Sequence, residues 1–373
     1  MRNVETDVVA LARNLVAIDS RSFVSNLPVA EYVETALAGF DIERIDYADA
    51  AGVAKRALVA HQGPSGGIAL SGHMDTVPDT GWQENPWSAR LDQDGTLHGL
   101  GSTDMKGPVA AIIVAARSLP KTVPITLLLT TDEETTKQGA RLIAQGSELV
   151  RRIKPAGIIV AEPTRLSPVR GHRSHIVFTC VATGVQAHSS TGRGRNANWD
   201  LIPFLVEMKS LFERLRSDVS LQDPEYDPPF SDFNLVLDNH GAAMNVTVPM
   251  ATARIKFRYS AKIDTSPILA AVHAAAERFG IAVSETREGF PPELPPNDPF
   301  VQRCAAVTGK PAGTAPYGTD ASELQAIAPC VVLGPGDIAE AHTPTEKVRI
   351  SDLVAAVPVF AKLAESLLSA SRT

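Results

Sequence analysis

Apolar positions recur along this chain in two alternating rhythms. "VVALARNLVAI" (8–18) and "VAEYVETALAGF" (29–40) repeat them every three to four residues, which predicts helices with one buried face. "RALVAHQG" (56–63) and "GIALSGH" (67–73) are short greasy runs, predicted as strands joined by the glycine-rich hairpin turn Gly63–Gly67. A helix in "GPVAAIIVAARSL" (107–119), a strand in "ITLLLTT" (125–131), one helix over "KQGARLIAQGSELVRRI" (137–153) and a strand in "AGIIVAEP" (156–163) follow. That alternation predicts an α/β domain with a mostly parallel sheet.

From about Ser174 the rhythm changes. "HIVFTCVATG" reads as a strand, "NWDLIPFLVEMKSLFERLRS" as a helix, and "DFNLVLDNHG" with "MNVTVPMATARIKFRYSAK" as a hairpin. "SPILAAVHAAAERFG" (helix) and "IAVSETRE" (strand) complete a β-α-β-β-α-β, ferredoxin-like order. Proline-rich "GFPPELPPNDP" leads back to helix, the strand "CVVLGPG" and a last helix. The expected organisation is a catalytic domain over 1–173 and 289–373, with a smaller domain inserted at 174–288.

Composition narrows the function. A net charge of −7 in 373 residues argues against nucleic-acid binding and anionic membranes. The longest apolar run, "PVAAIIVAA", is too short to span a bilayer, and acidic Glu5 and Asp7 in the opening segment fit a helix, not a signal peptide. Cys180, Cys304 and Cys330 are scattered, so buried free thiols in a reducing cytoplasm are expected.

The strand ends carry the chemistry. "ITLLLTTDEET" runs an apolar strand straight into Asp132, Glu133 and Glu134, three carboxylates that repel one another unless a cation is near. "GIALSGHMD" ends in His73 and Asp75, "AGIIVAEPT" in Glu162, and "CVVLGPGDIAEAH" leads to His342. Parallel strands deliver their C-terminal residues to one edge, and Asp104 at the mouth of the next helix can reach it. Alone, each acid reads as a helix cap or solvated charge and each histidine as a packed one. As a set they form a mixed nitrogen and oxygen shell suited to Zn²⁺ or Co²⁺, with enough carboxylates for two ions sharing one of them. "GPSGG" lacks the strand-to-helix setting of a nucleophile elbow, and "GLGSTD" puts an acid where a dinucleotide fingerprint needs glycine.

"SGHMDTVP", "GSTDMKGP", "TTDEET", "AEPT" and "GVQAHSS" occur in the order found in the dinuclear-zinc aminoacylase and carboxypeptidase family, which this chain resembles over nearly its whole length. "YGTDASEL" and "VVLGPGDIAEAHTPTE" look most like its deacetylase branch. The resemblance implies that Asp104 bridges two metals, with His73 and Glu162 on one and Glu134 and His342 on the other. It implies that Glu133 is the general base, that Asp75 accepts the other ring N–H of His73, and that Asp132 is only a loop or capping charge. His188, in the inserted domain, would reach the substrate carbonyl oxygen, often of the partner subunit; a polar loop after a strand is the alternative. Asn245 and Arg258 match positions that bind a substrate carboxylate, Gly334 and Gly336 would let backbone approach a ligand or equally make a plain turn, and Asp320 replaces a more frequent glutamate as a substrate contact. The implied reaction is amide hydrolysis of an N-acyl amino acid such as N-acetylornithine by a cytoplasmic homodimer paired through the insertion. An exopeptidase or N-succinyl-diaminopimelate desuccinylase shares every catalytic group. A non-catalytic binding protein would lack a ligand or the base, and here every position is filled.

Overall fold

The structure, a computed structural model, describes residues 4–370. The chain divides into two compact units: Met1–Gly171, Pro292–Gly313 and Thr319–Thr373 form the first, and His172–Pro291 with Thr314–Gly318 the second. Each has its own apolar core.

The first unit is built on a mixed eight-stranded sheet, ordered Asp41–Ala48, Ala54–Gln62, Ile125–Thr130, Ile68–His73, Gly157–Pro163, Cys330–Gly334, Val169–His172, Gly313–Ala315. The third to sixth of these are mutually parallel, and every residue in those four is buried, as strands covered on both faces require. Helix Lys106–Ser118 is buried from Lys106 to Ala116 and packs against the sheet and the helices Val4–Val16 and Ile350–Ala370.

Two sequence expectations change, and one strand is added. Gly63–Gly67 is no hairpin turn, because strand Ile125–Thr130 lies between the two strands it connects, antiparallel to Ala54–Gln62 and parallel to Ile68–His73. The loop must step over the start of that strand: a Cβ on Gly67 (φ +78°) would sit 2.2 Å from the Pro124 carbonyl oxygen. The helix read over 137–153 is two helices, Gln138–Gly146 and Glu148–Ile153, divided at Ser147, whose Oγ accepts the Val150 N–H at 3.0 Å. Strand Asp41–Ala48 went unread because this outer strand has no fully buried residue and so no greasy run.

In the second unit the order is β-α-β-β-α-β: Ser174–Thr183, Asn198–Ser217, Asp232–Asp238, Met250–Tyr259, Ser266–Phe279, Ala282–Arg287. The antiparallel sheet runs Asp232–Asp238, Met250–Tyr259, Ser174–Thr183, Ala282–Arg287, and strict alternation along Ser174–Thr183 puts Ile176, Phe178 and Cys180 in the core. Cys180, Cys304 and Cys330 are buried free thiols. Among the described residues no helix is long and apolar enough to cross a membrane.

Candidate metal centre

Neighbouring parallel strands end together, and their last residues build the site. His73 closes Ile68–His73, Glu162 lies near the end of Gly157–Pro163, and the Thr130 strand passes into the acidic turn. Gly334 ends Cys330–Gly334 where a Cβ would meet the Ala161 carbonyl oxygen at 2.1 Å, so only glycine lets this strand run beside the Glu162 segment. Gly336 (φ +84°) turns the chain towards His342, itself left-handed at φ +60°.

The Asp104 carboxylate stands between two imidazoles. Its Oδ1 lies 3.0 Å from His73 Nε2 and its Oδ2 3.3 Å from His342 Nε2. His342 Nε2 is also 3.0 Å from Glu134 Oε1, and His73 Nε2 is 3.7 Å from Glu162 Oε1. Two overlapping triads, His73–Asp104–Glu134 and His73–Glu133–Glu162, each hold their ligand atoms within 4.8 Å of one another. The structure thus brings Glu133 and all five residues expected to hold metal together.

The electrostatics ask for a cation. Burial, then the neighbouring charge of Asp104, pushes Glu162 well above the carboxylate range and Glu134 up to about 7. Burial also raises Glu133, against the pull of Lys137. Hydrogen bonds to Asp104 and Glu134 push His342 up to about 11. Protons are thus being held where positive charge is wanted, and divalent ions would replace them. His73 Nδ1 lies 2.9 Å from the backbone oxygen of Asp75, which can only accept, so Nδ1 carries a proton and the Nε2 lone pair is free for a metal. The donor set therefore fits two divalent cations: nitrogen and carboxylate oxygen converge there, with His73, Asp104 and Glu162 buried, Glu134 half-buried and His342 exposed.

Asp75 does more than the expected tautomer lock. Its carboxylate is 3.6 Å from His73 Nδ1, behind the carbonyl contact, and accepts instead from Ser22 Oγ (2.8 Å) and from the N–H groups of Glu133 (3.2 Å) and Glu134 (3.3 Å). It anchors the acidic turn. Asp132 is no loose capping charge either. It is buried in a left-handed conformation, pairs with Lys55 at 3.1 Å, accepts from Tyr47 Oη at 2.7 Å, and its carbonyl takes the N–H groups of Thr135, Thr136 and Lys137. Buried Glu346 accepts the N–H groups of Gly101, Thr103 and Asp104 at 2.8–2.9 Å and so fixes the Asp104 loop. These supports were missed because their partners lie far off in sequence; an acid or lysine inside an apolar strand context, such as Lys55, was the available signal.

Asp320 is 1% exposed and accepts from Thr130 Oγ1 with Oδ2, while its Oδ1 has no hydrogen-bond partner among the described residues.

In the second unit, His188 and Asn245 are exposed and brought together: His188 bridges to Val246, and the Ser189 N–H donates to the Asn245 carbonyl at 3.0 Å. Arg258 does not join them. It pairs with Asp232 at 2.7 Å, in register with His175, whereas Met250 at the other end of the same strand pairs with Thr183. Eight residues of strand, at about 3.3 Å each, put the two ends on the order of 26 Å apart.

The sheet edge and the two-imidazole, multi-carboxylate cluster define a metallohydrolase. The chain belongs to peptidase family M20/M25/M40, whose model matches residues 69–366. It is 32% identical over 374 residues to acetylornithine deacetylase of Myxococcus xanthus (95% of each chain) and 31% over 360 residues to that of Proteus mirabilis strain HI4320 (92% of this chain, 90% of the relative). The fold is shared with the di-peptidase Dug1p from Saccharomyces cerevisiae, at a TM-score of 0.74 and 14% identity over 97% of both chains.

Proposed function

We propose that this protein hydrolyses the amide bond of an N-acyl amino acid, N-acetylornithine or a close analogue, and so serves arginine biosynthesis in the cytoplasm. The observation that carries the metal chemistry is Asp104 facing His73 with one oxygen and His342 with the other. The deacetylase relatives, each matched over nine-tenths or more of both chains, carry the substrate class.

His73, Glu162 and Asp104 would hold one zinc or cobalt ion, and Glu134, His342 and Asp104 the second. Bound there, such ions supply Lewis acidity, making water more acidic and stabilising negative charge on the acyl oxygen. Glu133 accepts the proton of the attacking water at its carboxylate and returns it to the leaving amine nitrogen. Asp75 holds its backbone in place. His188 contributes a hydrogen bond to the acyl oxygen, and Asn245 one to the substrate carboxylate. Gly334 serves strand packing.

Pairing of two copies through the second unit is supported by its surface. Strand Asp232–Asp238 is an outer strand with Leu235, Val236 and Leu237 exposed, and Trp199, Ile202 and Val206 form an exposed stripe along helix Asn198–Ser217.

The deciding experiment is amine release by the zinc- or cobalt-loaded protein from N-acetylornithine, N-acetylcitrulline, N-acetyllysine, N-succinyl-diaminopimelate and dipeptides, with and without chelator. Chelator-sensitive release from an acetylated amino acid supports the proposal. Turnover confined to dipeptides makes the protein an exopeptidase.

A further inference from the structure

Lys137 is placed against the rules that govern its surroundings. It is 6% exposed, adopts a left-handed backbone (φ +54°), and stands at the N-terminus of helix Gln138–Gly146 without making a side-chain cap. Burying an ammonium, straining a non-glycine backbone and setting a cation at a positive helix end are each unfavourable. Glycine, asparagine or serine would serve the fold better there. What the lysine contributes is its ammonium, which donates to the Thr319 carbonyl at 2.9 Å and lies 3.5 Å from Glu133 Oε1.

The Thr319 segment is itself held. Arg141, on the same helix, pairs with Glu323 at 2.9 Å, and Thr130, last in its strand, donates to Asp320. The anchor for the ammonium is thus fixed from both sides, while the Glu133 side chain extends from a turn. Asp75 fixes the Glu133 backbone and leaves its carboxylate to another partner.

We propose that Lys137 is the positioning residue for the general base: anchored on the Thr319 carbonyl, its ammonium holds the Glu133 carboxylate in the orientation from which it takes the proton. This rests on the assignment of Glu133 above and adds a residue to it. The ammonium stays protonated throughout and acts only through Glu133.

The test compares K137M, K137Q and K137R, alone and in an E133Q background, on whichever acylated amino acid the metal-loaded wild type hydrolyses fastest. K137M is expected to lower kcat roughly ten- to hundredfold, the cost of a misplaced catalytic group, with KM and metal content unchanged. K137R, which keeps the charge, is expected to recover part of that loss. In the E133Q background K137M should change nothing further. Unchanged kcat in K137M, an equal extra loss on top of E133Q, or loss of metal would each overturn the proposal. K137Q carries the same reading if K137M does not fold. Full turnover by E133Q alone would instead remove the assignment of Glu133, so the two failures are distinguishable.

Discussion

The rim of the parallel sheet and the loops of the second unit were both expected to hold site residues, and they are built in opposite ways. On the rim, His73, Asp104 and Glu162 are buried and Glu133 and Glu134 half-buried, held by short contacts and by supports such as Ser22, Asp75 and Glu346, and only His342 is exposed. In the second unit His188 and Asn245 are exposed, and the His188 ring is met by its own neighbour, Ser190 Oγ at 2.8 Å. The rim is preorganised, with the desolvation cost of its charges paid on folding and offset only by cations. The loops carry no such cost.

That contrast is broken most severely at the rim. D104A should lose both metals and fall to background turnover, checked by metal analysis beside amine release. E133Q should keep its metals and lose on the order of 10²–10⁴-fold in kcat, the span of a general base; an E133Q that releases metal would make Glu133 a ligand, as its place in the second triad permits. K55M leaves Asp132 buried without its cation and should destabilise the fold by about 3–5 kcal/mol, read as a shifted denaturant midpoint.

How much of this was legible follows from the same contrast. Strand termini are a one-dimensional signal: apolar runs ending in His73, Glu133–Glu134 and Glu162 announce a shared edge before any contact is known. The supports are three-dimensional. Nothing near Lys55 in sequence points to Asp132, and nothing near Glu346 points to the Asp104 loop, because each pairing exists only once the sheet has formed. Strand order was hidden for a related reason. Gly63–Gly67 suits a hairpin locally, and the close passage of Val123 and Pro124 beneath Gly63 and Gly67 exists only in the folded sheet. The second unit's element order was readable because each element is long and periodic, whereas the three-residue strands Thr96–His98 and Lys347–Arg349 carry too few positions for any rhythm.

The loops should give the smaller effects, and they sharpen the comparison by their differences. H188A should lower kcat about 10²–10³-fold with metal content unchanged, as for one lost oxyanion donor; loss of metal would place His188 among the ligands. Arg258 is the finest discriminator. Its partly exposed ion pair with Asp232 is worth about 0–1 kcal/mol, and it lies at the far end of the strand from the His188 and Asn245 loops. In a single copy R258A should therefore leave kcat and KM essentially unchanged, while N245A raises KM several-fold. A large rise in KM for R258A would mean that opposite ends of this sheet meet at one substrate. A single copy cannot do that, since the sheet keeps its two ends apart. Two copies paired along strand Asp232–Asp238 can, because antiparallel pairing of like edges brings the Arg258 end of one sheet towards the Asn245 end of the other. Measuring R258A at protein concentrations above and below the dimer's dissociation would separate the cases: a KM effect confined to the dimer assigns the arginine to the partner's substrate, and no effect at either leaves it a surface ion pair.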